Sequence, residues 1–270
     1  MLYCGRDWQP TAIRRVIEPL FSSTRVVKVA TDAGIGFIKG LGNPQGNESL
    51  ALELVGSELA VAAGLTVPPF AIIDVAEIEI PMSNGGTVGF GPAFISKELR
   101  GQTSDGSDTF PKRMINREHM ALLVMFDTWV RNIDRCPPED YYDPAPRRDN
   151  LFFTPRGQKF EMVAFDHTHC FVEEDLAGGL TGTHFVEDDR VYGDFPEFRP
   201  YLTERLLRKA SAAVAQIDAD AIGAIVGSVP HAWGPSAHVR ERWAEQIFER
   251  GKRVEEYVFA RLVPQLQMKV

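Results

Sequence analysis

Trp129 to Phe171 reads WVRNIDRCPPEDYYDPAPRRDNLFFTPRGQKFEMVAFDHTHCF and carries three polar motifs at the ends of apolar segments. The first motif, Asn132-Ile-Asp134-Arg135, follows a predicted helix from Asn116 to Val130. Apolar residues recur along that helix at helical spacing, which predicts that one face packs into a core. Asp134 is therefore expected on a rigid platform just past the end of a buried helix.

The second and third motifs flank a predicted β-hairpin. Asn150 precedes one apolar strand, Asp166 follows the next, and Pro155-Arg-Gly157 predicts the turn between them. Because the open ends of an antiparallel pair lie side by side, both side-chain oxygens are expected to reach one ion. Protein sites for Mg²⁺ combine one or two carboxylates with substrate phosphates. We therefore predict Asn150 and Asp166 as magnesium ligands.

The first third of the chain supplies a lysine suited to the same chemistry. Lys39 lies on a predicted strand, and a predicted helix from Ser49 to Ala63 follows with Glu53 and Glu58 on it. In protein-kinase-type phosphotransferases a strand lysine binds phosphate oxygens, and a helix glutamate fixes that lysine. Two acidic side chains and an amide side chain complete the site, where they orient a hydroxyl and hold magnesium. The pattern predicts an ATP-dependent kinase. It leaves open which glutamate pairs with Lys39.

Two further parts of a nucleotide site are expected in the first half. Backbone amides of Asp32–Gly36 or of Asn43–Asn47 would cradle the phosphates, and the sequence does not choose between these loops. A polar, Gly-rich loop at Gly101–Pro111 predicts the boundary between a lobe of residues 1–100 and a lobe of residues 101–270. The connecting segment Phe94–Leu99 is expected to hydrogen-bond to the adenine through its backbone, and within it we assign Phe94, Ile95, Ser96 and Lys97 to the site.

The whole set resembles the HipA-like kinase family, within the group that includes phosphatidylinositol 3- and 4-kinases. The matching segments follow one another in the family's order and are Gly36-Phe-Ile-Lys39, Asn43-Pro-Gln-Gly46, Leu52-Glu53-Leu54, Gly64-Leu-Thr-Val-Pro68, Asn132-Ile-Asp134-Arg135, Asn150-Leu-Phe and Phe165-Asp166-His167-Thr-His169-Cys-Phe171. The resemblance implies an α+β, two-lobed protein-kinase-like fold with a small β-rich lobe first and a larger, mostly helical lobe second. It implies that Lys39 binds ATP phosphates with Glu53 as its partner, that Asp134 is the catalytic base, and that Asn150 and Asp166 hold Mg²⁺.

The chain departs from the family's pattern inside the catalytic loop. Cys136 stands where the family usually has histidine, and residues 137–149 form an insertion before Asn150. We interpret the insertion as a substrate-docking loop or, in preference, as a surface excursion. The loss of the histidine keeps a second hypothesis open, namely a catalytically weak pseudokinase that binds nucleotide or serves as a scaffold. A kinase for a small molecule or a lipid is the third.

Other chemistries are weighed against the kinase hypothesis. His167, His169 and Cys170 lie close together, but alternate residues of an extended segment point to opposite faces, which disfavours a zinc site. Cys136 has no neighbouring base to make it a nucleophile. Thr181 and Thr183 follow a Gly-rich loop where kinases keep an activation segment, and we interpret them as ordinary loop hydroxyls.

Composition limits the partners and the compartment. Lys and Arg number 29 against 37 Asp and Glu, giving a net charge of −8, which argues against nucleic acid or an anionic membrane as a partner. The expected partner is a protein or small-molecule phosphoacceptor. The three cysteines are widely spaced, which favours free thiols in a reducing cytoplasm. No signal peptide or membrane span is expected from the apolar pattern.

Helices and turns are predicted elsewhere from periodicity and turn residues. Asn84-Gly-Gly predicts a hairpin turn. Residues 204–217 and 219–226 predict helices, and 239–262 predicts one long amphipathic helix.

Overall fold

The first lobe contains one antiparallel sheet of five strands with the spatial order β1-β2-β3-β5-β4. A computed structural model describes residues 2–83 and 85–267. Its first elements are β1 (Ile13–Pro19), β2 (Val27–Thr31), β3 (Gly34–Leu41), α1 (Glu48–Ala62), β4 (Phe70–Val75) and β5 (Gly89–Lys97). The predicted strand–turn–strand carrying Lys39 and the helix after it are confirmed. The predicted turn at Asn84 lies outside the described residues.

The sheet separates two apolar layers because side chains alternate along each strand. On β5, Ala93 and Ile95 pack into a core with Val29 and Ile38, whereas Phe94 packs toward α1. Lys39 pairs with Phe94 across the sheet, so both side chains lie on the α1 face. This alternation places the lysine on the inner side of the first lobe.

The second lobe begins with a small sheet and continues with helices. Its elements are β6 (Gln102–Thr103), α2 (Thr109–Arg113), α3 (Glu118–Val130), a short 3₁₀ helix (Arg148–Asn150), β7 (Leu151–Arg156), β8 (Lys159–Ala164), α4 (Leu176–Gly179), α5 (His184–Glu187), α6 (Glu204–Ala215), α7 (Ala219–Gly227), a second 3₁₀ helix (His231–Trp233), α8 (Ala237–Gly251) and α9 (Val254–Gln267). Leu151 pairs with Ala164, so the open end of the β7–β8 hairpin carries Asn150 on one strand and Phe165-Asp166 on the other. The predicted hairpin is confirmed.

Helix α1 connects the two lobes. It is buried along its length because the sheet covers one side and the second lobe covers the other. Two polar contacts add to this packing: the indole nitrogen of Trp233 donates to the Pro92 carbonyl at 2.9 Å, and the Leu176 amide donates to Glu48 Oε2 at 2.8 Å. A helix that is held from both sides is a rigid position for the side chains that it presents to the cleft.

Two sequence predictions about the second lobe are wrong. The predicted single helix over 239–262 is two helices, α8 and α9, since α8 ends at Gly251 beside the indole of Trp129, where a Cβ would lie 3.1 Å from the ring nitrogen. The predicted loop Gly101–Pro111 contains β6, which pairs with β7, and the start of α2.

Among the helices that the structure describes, none is by itself long and apolar enough to cross a membrane. The pair α6 and α7, bent by 66° relative to each other, meets the length and composition criteria only when the two are taken together.

Candidate active site

Lys39 lies at the centre of a buried group of polar side chains. Its Nζ atom donates to Glu53 Oε2 at 2.7 Å, to Asp166 Oδ1 at 2.9 Å and to the Thr168 hydroxyl at 2.9 Å. Burial is the largest single influence on the pKa of Lys39 and lowers it, but the charges of Asp166 and Glu53 outweigh burial, so the pKa is raised. The lysine therefore stays cationic inside the protein and can bind an anion.

The two glutamates of α1 have different partners. Glu53 binds Lys39 and also accepts from the His167 amide at 3.2 Å. Glu58, which is fully buried, accepts from the amides of Tyr3 at 2.9 Å and Cys4 at 2.7 Å. Glu58 thus fixes the N-terminal segment, and Glu53 is the partner of the lysine.

Asp166 occupies a strained backbone position at the end of β8. Its φ is 58°, in the left-handed region that a non-glycine residue adopts only when its surroundings impose it. Burial raises the pKa of this carboxyl, yet the charge and hydrogen bond of Lys39 prevail and hold the pKa well below its usual range. Asp166 is therefore a carboxylate.

Asp134 and Asn150 contact each other directly. Nδ2 of Asn150 donates to Asp134 Oδ2 at 2.8 Å and to the Asp134 backbone oxygen at 3.0 Å. The Asp134 amide in turn donates to Asn132 Oδ1 at 3.1 Å, which closes a tight turn after α3. The predicted base and the predicted metal-binding amide are thus brought together.

Arg135 holds the three motifs in register, a role that sequence reasoning missed. Its side chain is fully buried, forms an ion pair with Asp127 of α3, and donates to the carbonyl oxygens of Asn150 at 3.3 Å and Phe165 at 2.9 Å. Those two carbonyls immediately adjoin the strands of the hairpin. Burial raises the pKa of Asp127 to about 7, and the guanidinium opposes that rise. One arginine thereby fixes the backbone beside Asp134, Asn150 and Asp166.

A cavity of about 380 Å³ lies between the sheet and the β7–β8 hairpin. Lys39, Glu53 and Asp166 lie on its polar side. Its other walls are largely apolar and include Leu20, Val26, Phe37, Phe94, Leu99, Phe152 and Phe165. A mainly apolar cleft with a few convergent charged groups is typical of a site for a small molecule.

The residues assigned to the adenine lie on both faces of the end of β5. Phe94, Ser96 and Lys97 line the cavity, but the side chain of Ile95 is buried in the core on the other face of the sheet. Alternation along β5 explains the difference. The backbone of Phe94 to Ser96 is also paired with β3 and β4 on both sides, so only the end of the segment can offer backbone groups to a ligand.

Neither loop proposed for the phosphates lines the cavity. Asp32–Gly36 and Asn43–Asn47 are absent from its walls, and the β1–β2 connection contributes Leu20, Phe21 and Ser22 instead. Phe21 is 86% exposed, an unusual position for a large apolar side chain. The connection has no glycine, which is the residue that usually marks a phosphate loop, so no sequence motif indicates that the connection lines the cavity.

The donors present fit a magnesium ion. Asp166 offers Oδ2, which takes no part in the contacts of Oδ1 with Lys39 and Thr168. Because Asn150 donates to Asp134 through Nδ2, its side-chain amide oxygen is left to bind a metal. Hard oxygen donors of this number suit Mg²⁺ that also binds phosphate. Among the described residues, no group of three or more His, Cys, Asp or Glu side chains is placed to hold a metal.

The surroundings of His167 and Cys136 fit neither a zinc site nor a nucleophilic thiol. His167 is fully buried, with its Nδ1 atom 3.3 Å from the Ser57 hydroxyl and its ring edge-on to Phe126, so it belongs to the core. Burial raises the pKa of Cys136 to about 12, with Asp194 and Asp127 adding to the effect. A thiol with that pKa is not a nucleophile near neutral pH.

The insertion at 137–149 returns to the catalytic loop. The Arg147 amide donates to the Arg135 carbonyl at 2.9 Å, and the Arg147 guanidinium forms an ion pair with Asp134. Arg148 binds Glu197 through two hydrogen bonds of 2.8 and 3.1 Å. The sequence pattern did not predict that a residue of the insertion contacts Asp134.

Comparisons with known proteins identify a family and a similar fold. A family model described as HipA-like kinase matches residues 27–258. The crystal structure of the Helicobacter pylori proinflammatory kinase CtkA is similar in fold, with a TM-score of 0.60 at 12% identity over 95% of this chain and 97% of that chain. A candidate aminoglycoside phosphotransferase from Ralstonia eutropha covers 90% of this chain and 92% of its own at 14% identity, with a TM-score of only 0.31. No curated protein matches the chain in sequence.

Proposed function

This chain belongs to the HipA-like kinase family, and we propose that it transfers the γ-phosphoryl group of Mg-ATP to a serine or threonine hydroxyl of a protein. Family membership supports a phosphotransferase; the nucleotide, the metal and the acceptor are our inference. The observation that carries the proposal is the buried ion pair of Lys39 with Glu53 and Asp166 beside a cleft. Protein kinases use a strand lysine paired with a helix glutamate at the phosphates, next to an aspartate that holds Mg²⁺.

Each residue has a role that its contacts support. Lys39 would bind phosphate oxygens, with Glu53 keeping its ammonium in place. Asp166 and the amide oxygen of Asn150 would hold Mg²⁺, whose bound charge neutralises the phosphates. Asp134 would accept the proton of the acceptor hydroxyl, and Asn150 orients its carboxylate.

The adenine would enter the apolar part of the cleft. Phe94 lines it from the sheet and Phe152 from the hairpin, while Phe21 extends from the β1–β2 connection at its edge. Exclusion of water from this part strengthens the electrostatic contacts of Lys39 with the phosphates. The exposed position of Phe21 would let the connection fold over a bound nucleotide.

Labelled ATP with a cell extract tests the proposal. We expect Mg²⁺-dependent labelling of protein, with phosphoserine or phosphothreonine after hydrolysis. Asp134→Ala should reduce the rate by about 10²–10⁴-fold, the usual contribution of a general base. Labelling of lipids or small molecules alone would show that the acceptor is not a protein. An equal rate of labelling by Asp134→Ala and the wild type would contradict the mechanism.

The pseudokinase remains the second candidate because of Cys136. Its buried thiol cannot replace the polar contacts of an imidazole in the catalytic loop. That hypothesis expects ATP binding by Lys39 without any transfer that depends on Asp134. The Asp134→Ala comparison therefore separates the two candidates.

A further inference from the structure

Both carboxylate oxygens of Asp134 are engaged within the chain itself. Asn150 donates to Oδ2 at 2.8 Å, and the Arg147 guanidinium forms an ion pair with Oδ1. The same guanidinium lies 3.5 Å from Asp143, another residue of the insertion. The contact with Asn150 belongs to the catalytic arrangement, whereas the contact with Arg147 comes from residues that the family's pattern lacks.

A carboxylate in this state is a poor base. A general base has to come within hydrogen-bond distance of the proton that it removes. The Arg147 guanidinium, which stays charged at every physiological pH, occupies that position on Oδ1. We propose that Arg147 is an autoinhibitory side chain that must leave Asp134 before an acceptor hydroxyl can bind. This inference rests on the proposed function.

The backbone around Arg147 is fixed while its side chain is not. The Arg147 amide is held by the Arg135 carbonyl, and the neighbouring Arg148 is clamped to the buried carboxylate of Glu197. The side chain of Arg147 is 48% exposed and that of Asp134 is 14% exposed. Release therefore needs only rotation of one long side chain into solvent, with no change in the catalytic loop.

The rest of the insertion also leaves room for movement. A cavity of about 550 Å³ lies between the insertion, the segment 190–199 and α9. Pro137, Pro144 and Pro146 of the insertion line it. On the opposite side Tyr141 holds the insertion to Glu173 through one hydrogen bond of 2.7 Å. A segment that spans a cavity can shift without opening a packed core.

The strength of the ion pair sets the size of the effect. Partly exposed pairs are screened by solvent and salt, so we expect inhibition of about two- to fivefold rather than complete block. Arg147→Met removes the charge and retains much of the side-chain volume. Arg147→Lys keeps a cation but loses the planar geometry of the guanidinium, so its rate should lie between those of Arg147→Met and the wild type.

The experiment measures hydrolysis of Mg-ATP by the full chain, with water as the acceptor. Arg147→Met should raise the rate about two- to fivefold without changing KM for ATP, and Asp134→Asn introduced into it should remove the gain. Arg156→Met is the matched control, because Arg156 is a similarly exposed arginine, also in an ion pair, at the far turn of the hairpin. Its rate should equal that of the wild type.

The outcomes separate this inference from the proposed function. An Arg147→Met rate that equals or falls below a measurable wild-type rate would overturn autoinhibition and leave the kinase intact. A gain that persists with Asp134→Asn would also overturn it, since the effect would not pass through the base. Absence of hydrolysis in both the wild type and Arg147→Met, with ATP bound, would overturn autoinhibition, and the proposed function would fall with it only if protein labelling were absent too.

Discussion

Lys39 Nζ lies 2.9 Å from Asp166 Oδ1, although 127 positions separate the two residues in the chain. The pair joins the central sheet of the first lobe to the end of β8 in the second. Without ligand, each group neutralises the other. Binding of phosphate and Mg²⁺ would give each a stronger counter-charge, so we expect the ion pair to be the part of the site that responds to nucleotide.

Glu53 and Glu58 should differ sharply when changed. Glu53→Gln removes the carboxylate that fixes Lys39 and should lower the transfer rate by about 100-fold. Glu58→Gln weakens the anchor of Tyr3 and Cys4 and should lower the free energy of unfolding by about 1–3 kcal/mol without changing KM for ATP. Steady-state kinetics and urea unfolding of both variants check this. Equal kinetic effects would contradict the assignment of Glu53.

Substitution of Arg135 should lower both the stability of the protein and the transfer rate, and a second substitution at Asp127 should restore only the stability. Arg135→Met leaves Asp127 buried without its partner and should lower the free energy of unfolding by about 3–5 kcal/mol. Adding Asp127→Asn removes that unpaired charge and should restore most of the stability. The rate should stay low, because the carbonyls of Asn150 and Phe165 remain without their donor. Recovery of the wild-type rate in the double variant would show that Arg135 has no positioning role.

The stability of the protein should fall as the pH drops below about 6.5 because of His167. Burial lowers the pKa of His167 well below its ordinary value, so below about 6.5 the unfolded chain binds a proton that the folded chain does not. The contribution is therefore present above the unfolded pKa and is lost as the pH falls. Between pH 7.5 and 5.5 the loss from this group is about 1.4 kcal/mol.

Urea unfolding at the two pH values measures this difference. His167→Gln should lose less stability than the wild type over the same interval, by about 1.4 kcal/mol. His238→Gln, at an exposed position on α8, is the control and should keep the wild-type dependence. An unchanged pH dependence in His167→Gln would mean that the imidazole is solvated.

Phe21 should affect nucleotide binding, whereas Asn43 should not. Phe21→Ala removes a wall of the cavity and should raise KM for ATP several-fold, in line with about 1 kcal/mol for partial loss of an apolar contact. Asn43→Ala removes hydrogen bonds to Gly40 and Ser49 outside the cavity and should affect only stability. A larger increase in KM for ATP in Asn43→Ala than in Phe21→Ala would indicate that the Asn43–Asn47 loop binds the phosphates.

The sequence predicted those parts of the site whose position follows from local pattern. The hairpin strands and their turn are local, so the placement of Asn150 and Asp166 at one end followed from pairing. Lys39 was predicted as the phosphate-binding lysine because its strand is followed by a helix with acidic residues. Helix periodicity alone did not distinguish Glu53 from Glu58, because α1 is buried on all sides and has no single apolar face.

The parts that were missed depend on side-chain direction over long distances. The partners of Arg135 lie 8, 15 and 30 positions away, and nothing in the motif shows which way its side chain points. Ile95 was expected to offer backbone groups to the adenine, but the strand pairs with β3 and β4 at that position, a long-range pairing that the local pattern does not show. The contact of Arg147 with Asp134 depends on how the insertion folds back, which no periodic pattern encodes.

Equilibrium binding of ATP with and without Mg²⁺ tests the central claim most directly, since it needs no acceptor. The wild type should bind ATP at least tenfold more tightly with Mg²⁺, because Asp166 and Asn150 share the ion with the phosphates. Asp166→Asn should lose that Mg²⁺ dependence, and Lys39→Met should lose affinity in both conditions. Asp149→Asn, an exposed acid next to Asn150, serves as the control and should behave as the wild type. Tight, Mg²⁺-dependent binding in Asp166→Asn and Lys39→Met would contradict the account.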